Sequence, residues 1–348
     1  MGIFVYNYLS IILFAYLSNT ANNKTLKHIL RLLIIFQLSF LCGFRGYNVG
    51  WDTQNYANHF FRVSRMPFHE AIWVWNEEIG YSLLQYLVAS VSKSPTLLFY
   101  VIGLFYSISV TRFITKYSKS WALSYALFIA LGLYTFSMTA LRQTVALGFV
   151  LYAYDSLWER RFLKFLLFTL AASTFHFSAL VFLPAYYLVT RDYRLREGLF
   201  TVAMVSFIYL FRNIFFQFIT TYTIYTYGEY ETLGPRNFLF MLVLIFVFSL
   251  FFLKISKNYD HHTRFYFYCI SMTLGLTVFA FIHPATLRIT YYYFFGVVVF
   301  FPNIIKASFG SKLSYFIIVV LVLALALLYF RGLDPASSPF VPYSFIWD

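Results

Sequence analysis

Residues that could perform chemistry gather in one polar stretch of a chain that is otherwise nearly all apolar. Residues 44–56 (FRGYNVGWDTQNY) contain a guanidinium, a carboxylate, an amide and a phenol, namely Arg45, Asp52, Asn55 and Tyr56. They open the longest polar segment between apolar runs, and long non-repetitive loops often carry function. Asp52 is interpreted either as a local cap of its loop or as a general base or sugar-hydroxyl ligand. We therefore expect a functional site at this loop.

Ionisable side chains also interrupt or end several of the later apolar runs, where a charge is costly to bury in lipid. Arg142 is interpreted either as a snorkelling side chain or as an anion contact in a polar cavity, and Arg288 has the same two interpretations. His176 is either a structural hydrogen-bonding group or a base or hydrogen-bond donor in the reaction. Glu78 either starts a helix or contacts substrate. The remaining candidate substrate contacts are Tyr81, Gln143 and Arg236.

The composition limits the kind of protein that can hold these residues. Of 348 residues, 61% are hydrophobic and 11% are charged, and the mean hydropathy is +0.70. So few charges cannot cover a soluble domain of this size. The composition predicts an all-α, polytopic integral membrane protein that forms a single domain over residues 1–348. Roughly twelve transmembrane helices are expected, at about residues 2–18, 29–43, 95–111, 121–137, 140–157, 162–175, 177–190, 198–218, 238–253, 265–282, 289–305 and 313–330.

Basic residues fall in every second loop between the predicted spans, beginning with residues 24–31. Under the positive-inside rule these loops are cytoplasmic, which predicts that both termini are extracytoplasmic. To keep this alternation, residues 162–190 are predicted to form two short spans that meet near His176. Residues 79–92 are predicted to form a re-entrant or interfacial helix on the outer face. Residues 44–94 then form one extracytoplasmic loop.

The net charge of +13 follows this loop pattern and so does not predict binding to nucleic acid. The predicted topology leaves several arginines on the outer face, which the positive-inside rule should leave poor in cations. This grouping indicates that an anion with several charges binds there, because the planar guanidinium suits phosphate. The sequence contains no metal-ligand spacing and no glycine-rich nucleotide motif, so neither a metal nor a cofactor is expected.

The order of these residues resembles the EpsG family, a family of Wzy-like polytopic proteins of bacterial exopolysaccharide, capsule and O-antigen loci. Short motifs between residues 44 and 178 carry the resemblance: R-G-x-x-V-G-x-D-T-x-x-Y from Arg45, E-x-G-Y from Glu78, L-R-Q from Leu141 and F-H-x-S from Phe175. The resemblance implies a polymerase that joins oligosaccharide repeat units carried on undecaprenyl pyrophosphate at the outer face of the bacterial cytoplasmic membrane. It further implies membrane lipid, a flippase and a chain-length regulator of the same pathway as partners.

The resemblance also implies a glycosyl transfer in which the lipid pyrophosphate is the leaving group and no metal is needed. Arg45, Arg142 and Arg288 would neutralise the pyrophosphate, and Asp52 or His176 would accept the proton of the acceptor hydroxyl. Two other classes stay open: a glycan ligase or membrane acyltransferase with the same outer-face chemistry, and a lipid-linked oligosaccharide flippase. A flippase is disfavoured because the polar residues cluster on one face and no duplicated halves are visible.

Overall fold

In the computed structural model the chain is built from helices, and the described residues contain no β-strand beyond one isolated bridge between Arg45 and Phe345. The structure describes residues 1–75, 78–189, 203, 206–207, 209–214, 217, 236–256, 259–281, 284–336 and 338–348. The all-α class is therefore confirmed for this part of the chain. Contacts group the chain into two compact units, Met1–Leu180 with Ser311–Asp348 and Val181–Gly310.

The α-helices are numbered here in chain order. They are α1 (Gly2–Thr20), α2 (Lys24–Gly43), α3 (Thr53–Val63), α4 (Phe68–Ala71), α5 (Ile79–Val91), α6 (Pro95–Tyr117), α7 (Trp121–Ala130), α8 (Leu133–Phe136), α9 (Leu141–Trp158), α10 (Phe162–Phe175), α11 (Ala185–Val189), α12 (Arg236–Ile255), α13 (His261–Leu276), α14 (Tyr291–Phe294), α15 (Gly296–Ser308) and α16 (Ser311–Arg331). Segments of 3₁₀ helix lie at Phe177–Phe182, Thr277–Phe281 and Pro284–Thr290. Local chemistry sets some of these boundaries. The Asn23 side chain caps α2, and α6 begins with a proline at its first position.

Seven helical segments in the described part of the chain are long and apolar enough to cross a membrane. They are Gly2–Thr20, Lys24–Gly43, Pro95–Tyr117, Arg236–Ile255, His261–Phe281, Thr286–Ser308 and Ser311–Arg331. This number supports a multi-pass membrane protein, but the predicted count of roughly twelve spans is not confirmed.

Some predicted spans are shorter or broken in the structure. The span predicted over 121–137 divides into α7 and α8 at Gly132, whose φ of 80° lies in the left-handed region that favours glycine. The span predicted over 177–190 is a 3₁₀ turn followed by the short helix α11. The span predicted over 198–218 falls largely outside the described residues. Hydropathy reports which residues are apolar, but it does not report where the backbone turns.

Other predicted elements match the structure closely. Helix α9 coincides with the span predicted over 140–157, although Arg142 and Asp155 lower its mean hydropathy. Residues 79–92 were expected to be helical without crossing, and α5 is indeed a short helix of 13 residues. At 1.5 Å per residue it is about 20 Å long, which is short for a full span. Its position at the membrane surface stays a prediction.

The first unit is organised by long helices that pack side by side, and α1 and α16 run antiparallel. Helix α16 lies against α1: near one end Tyr8 packs on Tyr329 with ring centroids 5.7 Å apart, and near the other end Tyr16 faces Tyr315 at 6.5 Å. The Tyr8 hydroxyl donates to the Val322 carbonyl at 2.8 Å, which satisfies a polar group inside an apolar interface. Helix α2 packs on α6, and α6 packs on α9.

The two ends of the first unit differ in chemistry. At one end the start of α1, residues 44–52 and the segment after α16 meet, and the rings of Phe4 and Tyr343 lie 5.5 Å apart. The opposite end is basic, with the Arg31 guanidinium 4.6 Å from the centroid of the Trp121 ring. Both termini and the polar loop therefore share one end, as the alternation of basic loops predicts.

The second unit is described by itself. Helix α13 packs between α12 and α15, and the rings of Phe246 and Phe267 stack at 5.5 Å across the first of these interfaces. The Tyr293 hydroxyl donates to the Val181 carbonyl at 2.9 Å. These contacts give this unit a helical core of its own.

Candidate active site

A buried carboxylate joins three segments that are distant in sequence. Glu78 is 1% exposed, and its Oε2 lies 2.5 Å from Nη1 of Arg142. Its Oε1 lies 2.6 Å from Nδ1 of His176. The side chains of Arg142 and His176 are 18% and 13% exposed, so the cluster lies just beneath the surface. A buried charge is stable only when it is paired, and Glu78 has a partner on each oxygen.

Three helix ends bring these side chains together. Glu78 immediately precedes α5, Arg142 lies in the first turn of α9, and His176 directly follows the last residue of α10. Gly80 permits the approach of α5 to α10, because a Cβ there would lie 2.3 Å from Thr174 Oγ1 and 3.1 Å from the Thr174 carbonyl carbon. A side chain at this position would separate the acid from the imidazole.

The contact between Glu78 and His176 constrains what the imidazole can do. With Nδ1 facing the carboxylate, the neutral ring carries its hydrogen on Nδ1 and presents Nε2 as an acceptor. A carboxylate that holds an imidazole in this tautomer is the arrangement of a general base and its orienting acid. Arg142 supplies a positive charge beside the same carboxylate. The three groups could therefore accept a proton and stabilise developing negative charge in one place.

An aromatic and polar wall supports the guanidinium of Arg142. The Arg142 Cζ lies 4.1 Å from the centroid of the Trp75 ring, a distance typical of a cation–π contact. The His59 ring lies 4.4 Å from the same Trp75 ring, and Trp75 Nε1 donates to Gln85 Oε1 at 2.6 Å. Tyr81 meets Trp75 edge-on at 5.7 Å. These contacts hold the indole, and through it the guanidinium, in one orientation.

The wall also contains polar atoms with no hydrogen-bond partner among the described residues. They are Tyr81 Oη, Gln85 Nε2 and His59 Nδ1, all of which are buried. Burial lowers the pKa of His59, and the positive charges of Arg62 and Arg142 lower it further, which favours the neutral ring. Unpaired buried polar atoms are uncommon and are often found at functional sites.

A comparison with protein families matches nearly the whole chain. The family model for the EpsG family matches residues 28–345. The chain belongs to the EpsG family. This is a Wzy-like polymerase family, which indicates a polysaccharide polymerase of exopolysaccharide biosynthesis. Neither the curated proteins nor the solved structures contain a match to the chain.

The structure of this EpsG-family protein brings several predicted site residues together. Glu78, Arg142 and His176 are in direct contact, and Tyr81 lies beside them in the wall. Tyr56 is buried next to Tyr81, with ring centroids 6.1 Å apart. These residues come from separate motifs of the sequence. The fold therefore brings the motifs together in one region.

Three residues of the wall were not predicted as site residues, although helical spacing contained a signal for two of them. His59 follows Tyr56 by three positions on α3, and Gln85 follows Tyr81 by four positions on α5, so each lies on the same helix face as a predicted residue. Trp75 carried no such signal.

The structure assigns Arg45 a different role from the predicted substrate contact. Its side chain is completely buried. Nε donates to Thr53 Oγ1 at 3.3 Å, Nη1 donates to the Cys42 carbonyl, and Nη2 donates to the Met138 carbonyl at 2.9 Å. The guanidinium also lies 4.6 Å from the centroid of the Phe99 ring. An arginine bonded to main-chain carbonyls in the interior holds loops together, so we reassign Arg45 to the support of the site.

The remaining predicted residues of the first unit surround the same loop. Asp52 precedes α3 and is half-buried, and its side chain makes no capping bond to the helix. Asn55 is exposed on α3, and Gln143 is buried next to Arg142 on α9. Their roles as base or substrate contacts stay predictions.

Two predicted residues belong to the second unit. Arg236 is exposed at the start of α12, and Arg288 is half-buried in the 3₁₀ segment Pro284–Thr290. Their predicted contact with substrate stays a prediction. Within the described ranges, no three or more His, Cys, Asp or Glu side chains gather as a metal site would require.

Proposed function

We propose that this protein is a polysaccharide polymerase that transfers a glycan from a lipid pyrophosphate to a hydroxyl of a second lipid-linked repeat unit. One observation carries the proposal: Glu78 is bound by both Arg142 and His176 at the polar end of the first unit. A base and a cation are the two groups that this transfer needs, because a hydroxyl must lose a proton while a pyrophosphate gains charge. Family membership supports the same reaction class.

The geometry supports a separate chemical role for each of these groups. His176 Nε2 accepts the proton of the acceptor hydroxyl. At the same time the oxygen of that hydroxyl forms a bond to C1 of the donor sugar. The bond between C1 and the phosphate oxygen breaks, and the pyrophosphate leaves with the electron pair. Arg142 stabilises that charge, and Glu78 orients the imidazole and the guanidinium. Asp52 is the alternative base, because it lies at the start of the helix that carries the wall residue His59.

The outer leaflet of the bacterial cytoplasmic membrane is the expected place of this reaction, with undecaprenyl pyrophosphate as the lipid carrier. The basic end of the first unit supports this orientation, because positive loops stay in the cytoplasm and the site lies at the opposite end. Asn55 lies at the polar end of the first unit and Lys119 at the basic end, and both are exposed in the structure. Asn55→Cys should react with a membrane-impermeant maleimide in intact cells and Lys119→Cys should not. The reverse pattern would place the site in the cytoplasm.

Gel analysis of the surface glycan in a deletion strain tests the reaction class. We expect the wild-type gene to restore long polymer, and His176→Ala to leave single repeat units on the acceptor although protein is present. Loss of all surface glycan would instead indicate a flippase or a ligase. An unchanged glycan length with altered acylation would indicate an acyltransferase. Purified protein with lipid-linked repeat units as the only substrate then measures polymerisation directly.

A further inference from the structure

The C-terminal segment of the chain is bonded to the loop that precedes the site. Residues 338–348, called the tail below, run antiparallel to residues 44–50, and Arg45 and Phe345 form the isolated bridge between them. The main-chain bonds join Gly46 N–H to the Ser344 carbonyl (2.8 Å), Ile346 N–H to the Phe44 carbonyl (3.0 Å) and Gly50 N–H to the Pro339 carbonyl (2.9 Å). Terminal segments are usually poorly ordered unless they are tied down, and this one is tied at three points.

Side chains reinforce the same attachment. The Tyr343 hydroxyl donates to the Leu41 carbonyl at 2.8 Å, and the Ser344 hydroxyl donates to Asn48 Oδ1 at 2.7 Å. The rings of Phe345 and Trp347 stack at 4.7 Å, and Trp347 also lies 5.9 Å from the ring of Phe44 at the end of α2. The tail therefore covers the loop with both hydrogen bonds and aromatic contacts.

The loop is in turn bonded to the turn that starts α9. Arg45 Nη2 donates to the Met138 carbonyl at 2.9 Å, and Thr53 Oγ1 lies 3.3 Å from the same oxygen. Gly50 packs against this carbonyl too: its φ is +94°, and a Cβ there would lie 2.9 Å from the oxygen. Met138 precedes α9 by only a few residues, and Arg142 lies in the first turn of that helix.

We propose that the tail is a positioning segment for Arg142. It holds the loop, the loop holds the Met138 carbonyl through Arg45 and Gly50, and the Met138 turn fixes the direction of the first turn of α9. The expected effect on turnover rests on the proposed polymerase function, whereas the placement of α9 does not. Precise placement matters because a misplacement of about 1 Å can reduce a rate by about 100-fold.

Hydrogen–deuterium exchange of the full-length protein in detergent tests the placement without any substrate. The variant has residues 339–347 replaced by glycine and serine at equal length, which removes the Tyr343 hydrogen bond and the aromatic contacts and leaves a flexible main chain that cannot hold the remaining bonds. We expect amide exchange to rise by at least about 10-fold in residues 44–52 and in residues 139–145, because both lose their attachment. Residues 112–117 at the basic end should exchange as in the wild type. An increase in residues 44–52 without one in residues 139–145 would overturn the proposal.

The single substitution Trp347→Ala is the matched control. It removes the stacking on Phe345 and the contact with Phe44 but keeps the three main-chain bonds of the tail. We expect the exchange in residues 139–145 to stay within about 2-fold of the wild type. An increase as large as that of the replaced tail would mean that aromatic packing, and not the bonded tail, orders this region, and would overturn the proposal.

Turnover measurements then show whether the placement serves the reaction. The replaced tail should lower kcat by about 10-fold with KM nearly unchanged, since the misplaced group acts on the leaving pyrophosphate. In Asn48→Cys/Ser344→Cys a disulfide would lock the tail, and both native cysteines are buried. The oxidised double variant should keep wild-type kcat. A reversible loss on oxidation would show that the tail must move and would overturn the proposal. If the wild type itself forms no polymer, the proposed function fails and the exchange data decide the positioning role.

Discussion

Helix α9 carries a buried carboxylate cluster near each of its ends, and the two clusters are built differently. At the first turn Arg142 binds Glu78, which also contacts His176. Near the last turn, about 20 Å along the helix, Asp155 binds Arg112 and Lys116 and accepts a bond from the Tyr117 hydroxyl.

The partners of Asp155 all come from the end of α6, so this cluster joins just two neighbouring helices. The partners of Glu78 come from the ends of two other helices and include an imidazole. The side chains of Arg112 and Lys116 are 34% and 45% exposed, so this cluster is partly open to solvent. A buried carboxylate with paired cations is therefore not in itself evidence of an active site. Convergence of several elements on a group that can exchange a proton is what distinguishes the Glu78 cluster.

The largest effect on turnover is expected from His176→Ala. Removal of a general base typically costs about 10²- to 10⁴-fold in rate, and we expect a kcat loss in that range with expression and membrane insertion near normal. The measurement is polymer formation by purified protein from lipid-linked repeat units. His176→Gln should keep part of the activity if the ring donates a hydrogen bond, and almost none if it accepts a proton. Wild-type polymer from His176→Ala would remove the chemical distinction between the two clusters.

A smaller but still large effect is expected from Arg142→Lys. The substitution keeps the charge but loses the planar fork and the stacking on Trp75. Loss of one preorganised donor to a developing anion costs about 10²- to 10³-fold in kcat, and we expect the lower end of that range. Arg112→Lys at the opposite end is the matched control, and it should leave kcat unchanged. Equal effects of the two substitutions would mean that Arg142 is a structural cation, as Arg112 is.

Much of the fold could be predicted from apolar runs alone. Helices α1, α2, α6 and α16 lie where long hydrophobic segments predict them, because a segment of that length and composition has few alternatives in lipid. The break at Gly132 could not be predicted, since hydropathy continues across it and only the backbone conformation reveals it.

The candidate site was predicted in part. Glu78, Arg142 and His176 were recognised as ionisable groups in an apolar setting, and the structure shows that they touch. Trp75 was not predicted as a site residue, because a sequence does not say which ring a guanidinium will stack on. Arg45 was taken for a phosphate contact, because its burial against main-chain carbonyls depends on contacts across the fold.

A moderate effect is expected from Gly80→Ala. The new Cβ would meet Thr174 Oγ1 at 2.3 Å and the Thr174 carbonyl carbon at 3.1 Å, so the start of α5 must move away from α10. This movement lengthens the contact between Glu78 and His176, and we expect kcat to fall by about 10-fold. Gly80→Ala/Thr174→Ala removes the nearest clashing atom and should recover part of the loss. No loss in the single variant would show that the contact between acid and imidazole tolerates displacement, as a merely structural pair would.

The smallest effect on turnover is expected from Asp155→Asn, although its effect on stability should be the larger. The substitution leaves Arg112 and Lys116 without their carboxylate. Breaking a fully buried pair costs about 3–5 kcal/mol, but solvent screens these two half-exposed cations, so we expect a loss of about 1–3 kcal/mol in the free energy of unfolding. Thermal unfolding in detergent measures this loss, and kcat per folded molecule should equal that of the wild type. Glu78→Gln is the matched substitution at the other end, and it should lower kcat by about 10²-fold or more, because the imidazole loses its orienting carboxylate. A drop in kcat for Asp155→Asn without a change in unfolding temperature would show that the basic end of α9 also takes part in the reaction.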